Sequence, residues 1–148
     1  MKVTIIAIGK LKKGSPEQQL VDEYVKRSNW PVVFKEKDNS NQQDEAKFLQ
    51  SAIPGGDGAR VVVLDERGEN LKSTELAAKF EKWQNEGSSE ICFLIGGADG
   101  HLEETRQRAD LALSFGRLTM PHMLMRAILA EQIYRVQTII SKHPYHRE

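Results

Sequence analysis

Apolar residues in this chain come in short, nearly unbroken runs. Lys2–Gly9 (KVTIIAIG), Arg60–Asp65 (RVVVLD) and Glu90–Ile95 (EICFLI) hardly alternate and are rich in Val and Ile. A strand with one wet face alternates, whereas a parallel strand covered on both faces reads as a continuous apolar run. All three therefore read as buried parallel strands, with Pro31–Lys37 and Leu111–Phe115 as two more. Helical signals fill the gaps. Ser15-Pro16-Glu17-Gln18 supplies an N-cap, a proline at the first helical position and a capping-box glutamine, which predicts a helix to about Ser28. The polar stretch Asn39–Ala52 reads as a second helix ending at PGGDG; Ser73–Glu86 is a third, capped by Ser73 and stopped by Gly87. Leu102–Ala109 is a fourth and Pro121–Ser141 a long fifth. This alternation predicts an α/β fold, a mainly parallel sheet with helices on both faces, in one domain spanning residues 1–148.

The last helix departs from the pattern of the others. Its apolar residues, from Met123 to Ile140, cover nearly the whole circumference. Such a helix needs burial all round, and a sheet covers only one side. A second copy of the chain is the expected cover for the other side, and complete burial in its own core is the alternative.

Composition narrows the field. The 21 basic and 21 acidic side chains cancel, so no whole-molecule field marks a nucleic-acid binder, and any RNA contact must use a local patch. Both ends are mildly basic and the middle is acidic. The one cysteine, Cys92, rules out an internal disulfide and lies inside an apolar run, where a buried structural thiol is expected. VTIIAIG runs into Lys10, Lys12 and Lys13 with no small-residue cleavage pattern, and no stretch approaches the ~20 apolar residues that span a bilayer, so the expected location is cytoplasmic.

Ligands of parallel sheets collect beyond the carboxyl ends of the strands. Gly9–Pro16 (GKLKKGSP) looks like a phosphate loop but has Ser15-Pro16 where the lysine and hydroxyl should follow the second glycine; it reads as a helix start. IGGADG, Ile95–Gly100, is no dinucleotide fingerprint, since Ile95 replaces the first glycine, yet Gly96, Gly97 and Gly100 allow a close approach to a flat ligand. The loop Ser114–His122 (SFGRLTMPH) offers backbone amides and a helix start to an adenine edge or an anion. His122, His143 and His146 all follow residue 120, with no spacing that suits zinc and no G-x-S-x-G nucleophile turn, so neither a metal nor a serine triad is expected. The chain closes on HPYHRE, unusually rich chemistry for a terminus.

Taken together, LIGGADG, LSFGRLTMPHMLMR, AEQIYR and HPYHRE resemble the SPOUT-class methyltransferases, and within them the bacterial group that methylates N3 of a pseudouridine in large-subunit ribosomal RNA. The resemblance spans the chain, although Asp38–Gly58 carries no family motif. It implies a C-terminal deep trefoil knot, which ordinary topology rules disfavour, holding bent S-adenosylmethionine. Carried onto this sequence, the cofactor contacts are Leu64, Gly96 and the backbone of Phe115, Gly116, Arg117, Leu118, Thr119 and Met120. It further implies a homodimer in which the tail of one subunit completes the site of the other. On that reading Tyr145 stacks on or bonds the base, Arg147 holds a phosphate or carbonyl, and His122 or His146 receives the proton, with no metal needed. Two other readings stay open here: a ribosome-assembly factor that keeps the fold without catalysis, and an unknotted nucleotide-binding enzyme.

Overall fold

The computed structural model describes residues 1–147. Among them, five strands alternate with five helices: β1 (Lys2–Ile8), α1 (Pro16–Arg27), β2 (Val32–Lys37), α2 (Gln42–Ser51), β3 (Ala59–Glu69), α3 (Ser73–Asn85), β4 (Glu90–Ile95), α4 (Glu103–Arg108), β5 (Leu111–Leu113) and α5 (His122–Ile140). The strands form one sheet in the order β2-β1-β4-β3-β5, parallel at every registered pair. The two-residue repeat of a strand sorts its side chains between two cores. Val3, Ile5, Val62, Phe93 and Ile95 meet Phe80 of α3 and Leu129, Ile133 and Val136 of α5 on one face. Ile6, Ile8, Val61, Val63, Cys92 and Leu94 meet Phe48 and Leu49 of α2 on the other. Burial pushes the Cys92 thiol up to about 12, in keeping with a structural thiol.

Several boundaries differ from those expected. Ser73 does not cap α3: it is the first helical residue, and its hydroxyl donates to Gln132 Oε1 on α5 at 2.7 Å. β5 stops at Leu113 rather than Phe115 because Ser114 turns the chain, its Oγ accepting from Gly116 N at 3.1 Å and donating to Gly116 O at 2.9 Å. β3 runs past Asp65 to Glu69, and Leu113 is registered to both Leu64 and Glu69. Residues 65–68 therefore arch around the end of β5. A Cβ on Gly68 would lie 2.6 Å from the backbone of Ala112, so only glycine permits this approach.

α5 lies between α1 and α3 on one face. Leu129 and Ile133 point into the sheet core, and Ala127 and Ala130 meet Val21 of α1. Much of its circumference is thus covered within the chain, while Leu124 stays 38% exposed.

Candidate active site

Because the strands are parallel, the carboxyl ends of β3, β4 and β5 open on one edge, and the loops that follow them enclose a cavity of about 500 Å³. That volume falls within the range of small-molecule sites, roughly 300–1,000 Å³. Leu64, Gly96, Phe115, Gly116, Leu118, Thr119, Met120 and His122 all line it. Arg117 does not: it is exposed and absent from the wall. The backbone of the third wall is uncommitted. Among the described residues, the N–H groups of Phe115, Arg117, Leu118, Thr119 and Met120 donate to no protein acceptor, and the Ser114–Gly116 clasp holds the turn that carries them. Free amides beside the apolar side chains of Leu64, Ile95 and Met120 suit a flat heterocycle with hydrogen-bonding edges.

Several supports of this cavity were not read from the sequence. Asp65 lines it with a side chain only 7% exposed. Burial opposes ionisation there, but the Arg67 N–H, the Arg67 guanidinium and Arg106 outweigh it and hold the carboxyl below its usual range. Arg106 Nη1 also donates to the His101 carbonyl at 3.0 Å, tying the exit of the glycine turn to the end of β3. The His101 ring is buried against Gly96 with both nitrogens lacking a hydrogen bond. The Leu64 and Leu94 carbonyls lie near enough to favour its cation but not in bonding geometry, and burial prevails, pushing the imidazole below its ordinary value. On the outer side, the buried Glu45 of α2 accepts from Ser40 N and presses so closely on Gly97 that a Cβ there would meet Oε1 at 2.5 Å. The glycines between β4 and α4 were a visible signal of close approach; the partners that approach them were not.

His122 opens α5 and is half-buried at the cavity wall. Burial, then the charge of Arg126, pushes its imidazole down, against the opposing pull of the Gly97 carbonyl and Glu45. Arg126, one turn further, is fully buried; it pairs with Glu36 of β2 and donates to Ile8 O at 2.7 Å. Nothing in the sequence pattern distinguished it from the surface arginines.

The tail lies at the other end of α5, about 28 Å along a 19-residue helix. Lys142 takes a left-handed φ of 60° and His143 N closes on Thr138 O at 2.8 Å, which folds the tail back. Tyr145 donates its hydroxyl to Glu131 at 3.0 Å beneath Arg135, whose guanidinium carbon is 4.9 Å from the ring centroid. His146 Nδ1 lies 3.1 Å from Arg135 Nη1, and Arg147 is exposed. None of Tyr145, His146 and Arg147 lines the cavity, so one chain brings His122 to it but not the tail.

No helix among the described residues is long and apolar enough to cross a membrane, and no group of three or more His, Cys, Asp or Glu side chains there could hold a metal ion.

An α/β sheet with its cavity at the carboxyl ends of three parallel strands defines a small-ligand-binding protein of the open-sheet class. The sequence profile described as "Predicted SPOUT methyltransferase" matches residues 1–146, and the chain belongs to that family. It is 46% identical over 154 aligned residues to the ribosomal RNA large subunit methyltransferase H of Paramagnetospirillum magneticum, covering 99% of each chain. It is 47% identical over 148 residues to the protein of the same name from Zymomonas mobilis, covering 100% of this chain and 99% of that one.

Proposed function

We propose that this chain transfers a methyl group from S-adenosylmethionine to N3 of a pseudouridine in large-subunit ribosomal RNA. The observation that carries the reading is the cavity walled by uncommitted amides between Phe115 and Met120. Full-length similarity to proteins named ribosomal RNA large subunit methyltransferase H supports the choice of substrate.

The residues present fit the cofactor. Leu64, Gly96 and the backbone of residues 115–120 would hold it, with Arg117 contributing main chain only, while Asp65 and Glu66 suit a cation. When bound, S-adenosylmethionine supplies a methyl group already activated on a positively charged sulfur. The chain's own task is then to hold the base in line with that methyl and to take the imide proton. Placement is the larger contribution, up to roughly 7–11 kcal/mol, and a base adds about 10²–10⁴-fold. Burial keeps His122 neutral near pH 7 and able to accept a proton at the cavity wall. His146 is the other candidate acceptor, Tyr145 packs on or bonds the base, and Arg147 holds a phosphate or carbonyl. Since tail and cavity lie at opposite ends of α5, these groups meet only if the tail comes from a second copy, and we assign a homodimer on that ground. Family membership implies the trefoil knot; the arch of residues 65–68 around β5 supports a crossing there. A ribosomal substrate places the protein in the cytosol.

The test is transfer of labelled methyl from S-adenosylmethionine to ribosomes lacking the modification, with the labelled nucleotide mapped by mass spectrometry. Label on N3 of a large-subunit pseudouridine is the expected result. Absence of both label and cofactor binding would instead indicate a binding protein that assists assembly.

A further inference from the structure

The loop Gly9–Pro16 lacks the phosphate-loop lysine and hydroxyl, and the cavity does not use it. It is nonetheless a built feature. Gly9 N donates to Lys37 O at 2.6 Å, Leu11 N to Glu36 Oε2 at 3.1 Å and Ser15 N to Lys12 O at 3.0 Å. Gly9 and Gly14 both take left-handed φ, 87° and 81°, which lets the chain leave β1 and enter α1 within this short span. Leu11 packs beside Val21, Ala127 and Ala130, so the loop is anchored from inside. What it presents outward is positive charge. Lys12 and Lys13 are exposed and form no ion pair among the described residues, and Lys10 makes only a 3.6 Å bridge to Asp38, itself 80% exposed.

Its position gives this charge a use. β1 lies beside β4 and two strands from β3, a step of about 10 Å from loop to cavity. The loop is also bolted to the cavity's helix: Glu36, which accepts from Leu11 N, pairs with buried Arg126, four residues beyond His122, and Gly9 packs against Met123. A chain with no net charge must grip RNA through a local patch, and this one sits on the edge where the base would enter.

We propose that the Lys10–Lys13 loop is a docking site for the phosphate backbone of the substrate RNA, flanking the nucleotide held at the cavity. The proposal rests on the methyltransferase reading above, and its test separates the two. Lys12→Ala/Lys13→Ala is compared with Lys79→Ala/Lys82→Ala, an equal charge loss on α3. Each protein is measured for melting temperature, S-adenosylmethionine Kd, transfer to unmethylated ribosomes, and ribosome co-sedimentation across a KCl series. The loop variant is expected to keep the melting temperature, cofactor Kd and kcat. Its KM for ribosomes should rise several-fold, and the slope of log affinity against log salt should become shallower by about 1.4–1.8, or 0.7–0.9 per lost phosphate contact. An unchanged KM and slope overturn the proposal, as does an equal effect from the α3 variant, or a loss of cofactor binding that shows the loop acting through the fold. If the wild type transfers no methyl, the functional reading fails while co-sedimentation still decides the fate of the loop.

Discussion

The two ends of α5 are built on opposite plans. At its start, the loop Phe115–Met120 leaves main-chain donors unpaired around a cavity, and the one titratable side chain contributed by the first turn, His122, is half-buried there. At its end, Tyr145, Arg135, Glu131 and His146 bond to one another in a cluster apart from that cavity, with only His146 Nε2 among their bonding groups buried and unpartnered. Main-chain donors with no protein partner, on a loop that is half-buried at Phe115 and Met120 and exposed from Arg117 to Thr119, are free to pair with a ligand; a cluster bonded within itself holds a shape. The first end is open to a small molecule, and the second is folded back on its own helix.

Subunit mixing would break this comparison most decisively. His122→Ala is expected to lower methyl transfer about 10²–10⁴-fold, and Arg147→Ala, which removes a charged hydrogen bond to the substrate, about 10–150-fold. With the homodimer proposed above, mixing the two after unfolding and refolding should restore about a quarter of wild-type activity, because half the dimers would be mixed and each would have one intact site. No recovery would mean that both ends serve the same site in one chain. Charge deletion at the two ends gives the next largest contrast. Arg126→Leu leaves Glu36 without its buried partner and should cost about 3–5 kcal/mol in denaturant titration; Arg135→Leu, in a more open pair, should cost about 1 kcal/mol. Ser114→Ala removes the clasp that holds the free amides and should weaken cofactor binding about fivefold by calorimetry, while Tyr145→Phe should leave it unchanged.

The smallest effect concerns pH. Burial lowers the folded-state values of His101 and His122 from the ordinary 6.5, so below that pH the unfolded chain takes up protons that the folded rings resist. Stability present above about pH 6.5 should therefore drain as the pH falls toward the folded values. Melting temperature between pH 7.5 and 5 should drop by roughly a few degrees, and by less in His101→Phe.

Much of the sheet was legible because an apolar run in a parallel strand reports its own burial. β4 has the limits its sequence predicts, and the turn at Gly87, with φ 95°, stops α3 as a glycine should. What escaped was set by partners distant in sequence. Glu66-Arg67-Gly68-Glu69 reads as polar loop, yet Glu69 joins β3 because Leu113 pairs with it; Gly68 inside that stretch was the available clue to a close backbone approach. Ser73 has every property of a cap and instead bonds Gln132, on a helix 59 residues away. Glu45 and Arg126 carry charges that a helical pattern assigns to solvent, and both are buried by elements that pack on them from elsewhere. The cavity's loops were legible from the strand ends and its individual residues from family motifs, while the Asp65–Arg106–His101 brace and the folded-back tail belong to geometry that no short motif encodes.

The pairing of β5 with β3 also orders events during synthesis. By the time Asp110 has been added, the residues of four strands have been made, but Leu113, which pairs with Leu64 and Glu69, the amide wall and His122 have not. The chain thus carries four of its five strands before it carries the residues of a complete cavity wall. The cavity wall is among the last parts of the molecule to be synthesised.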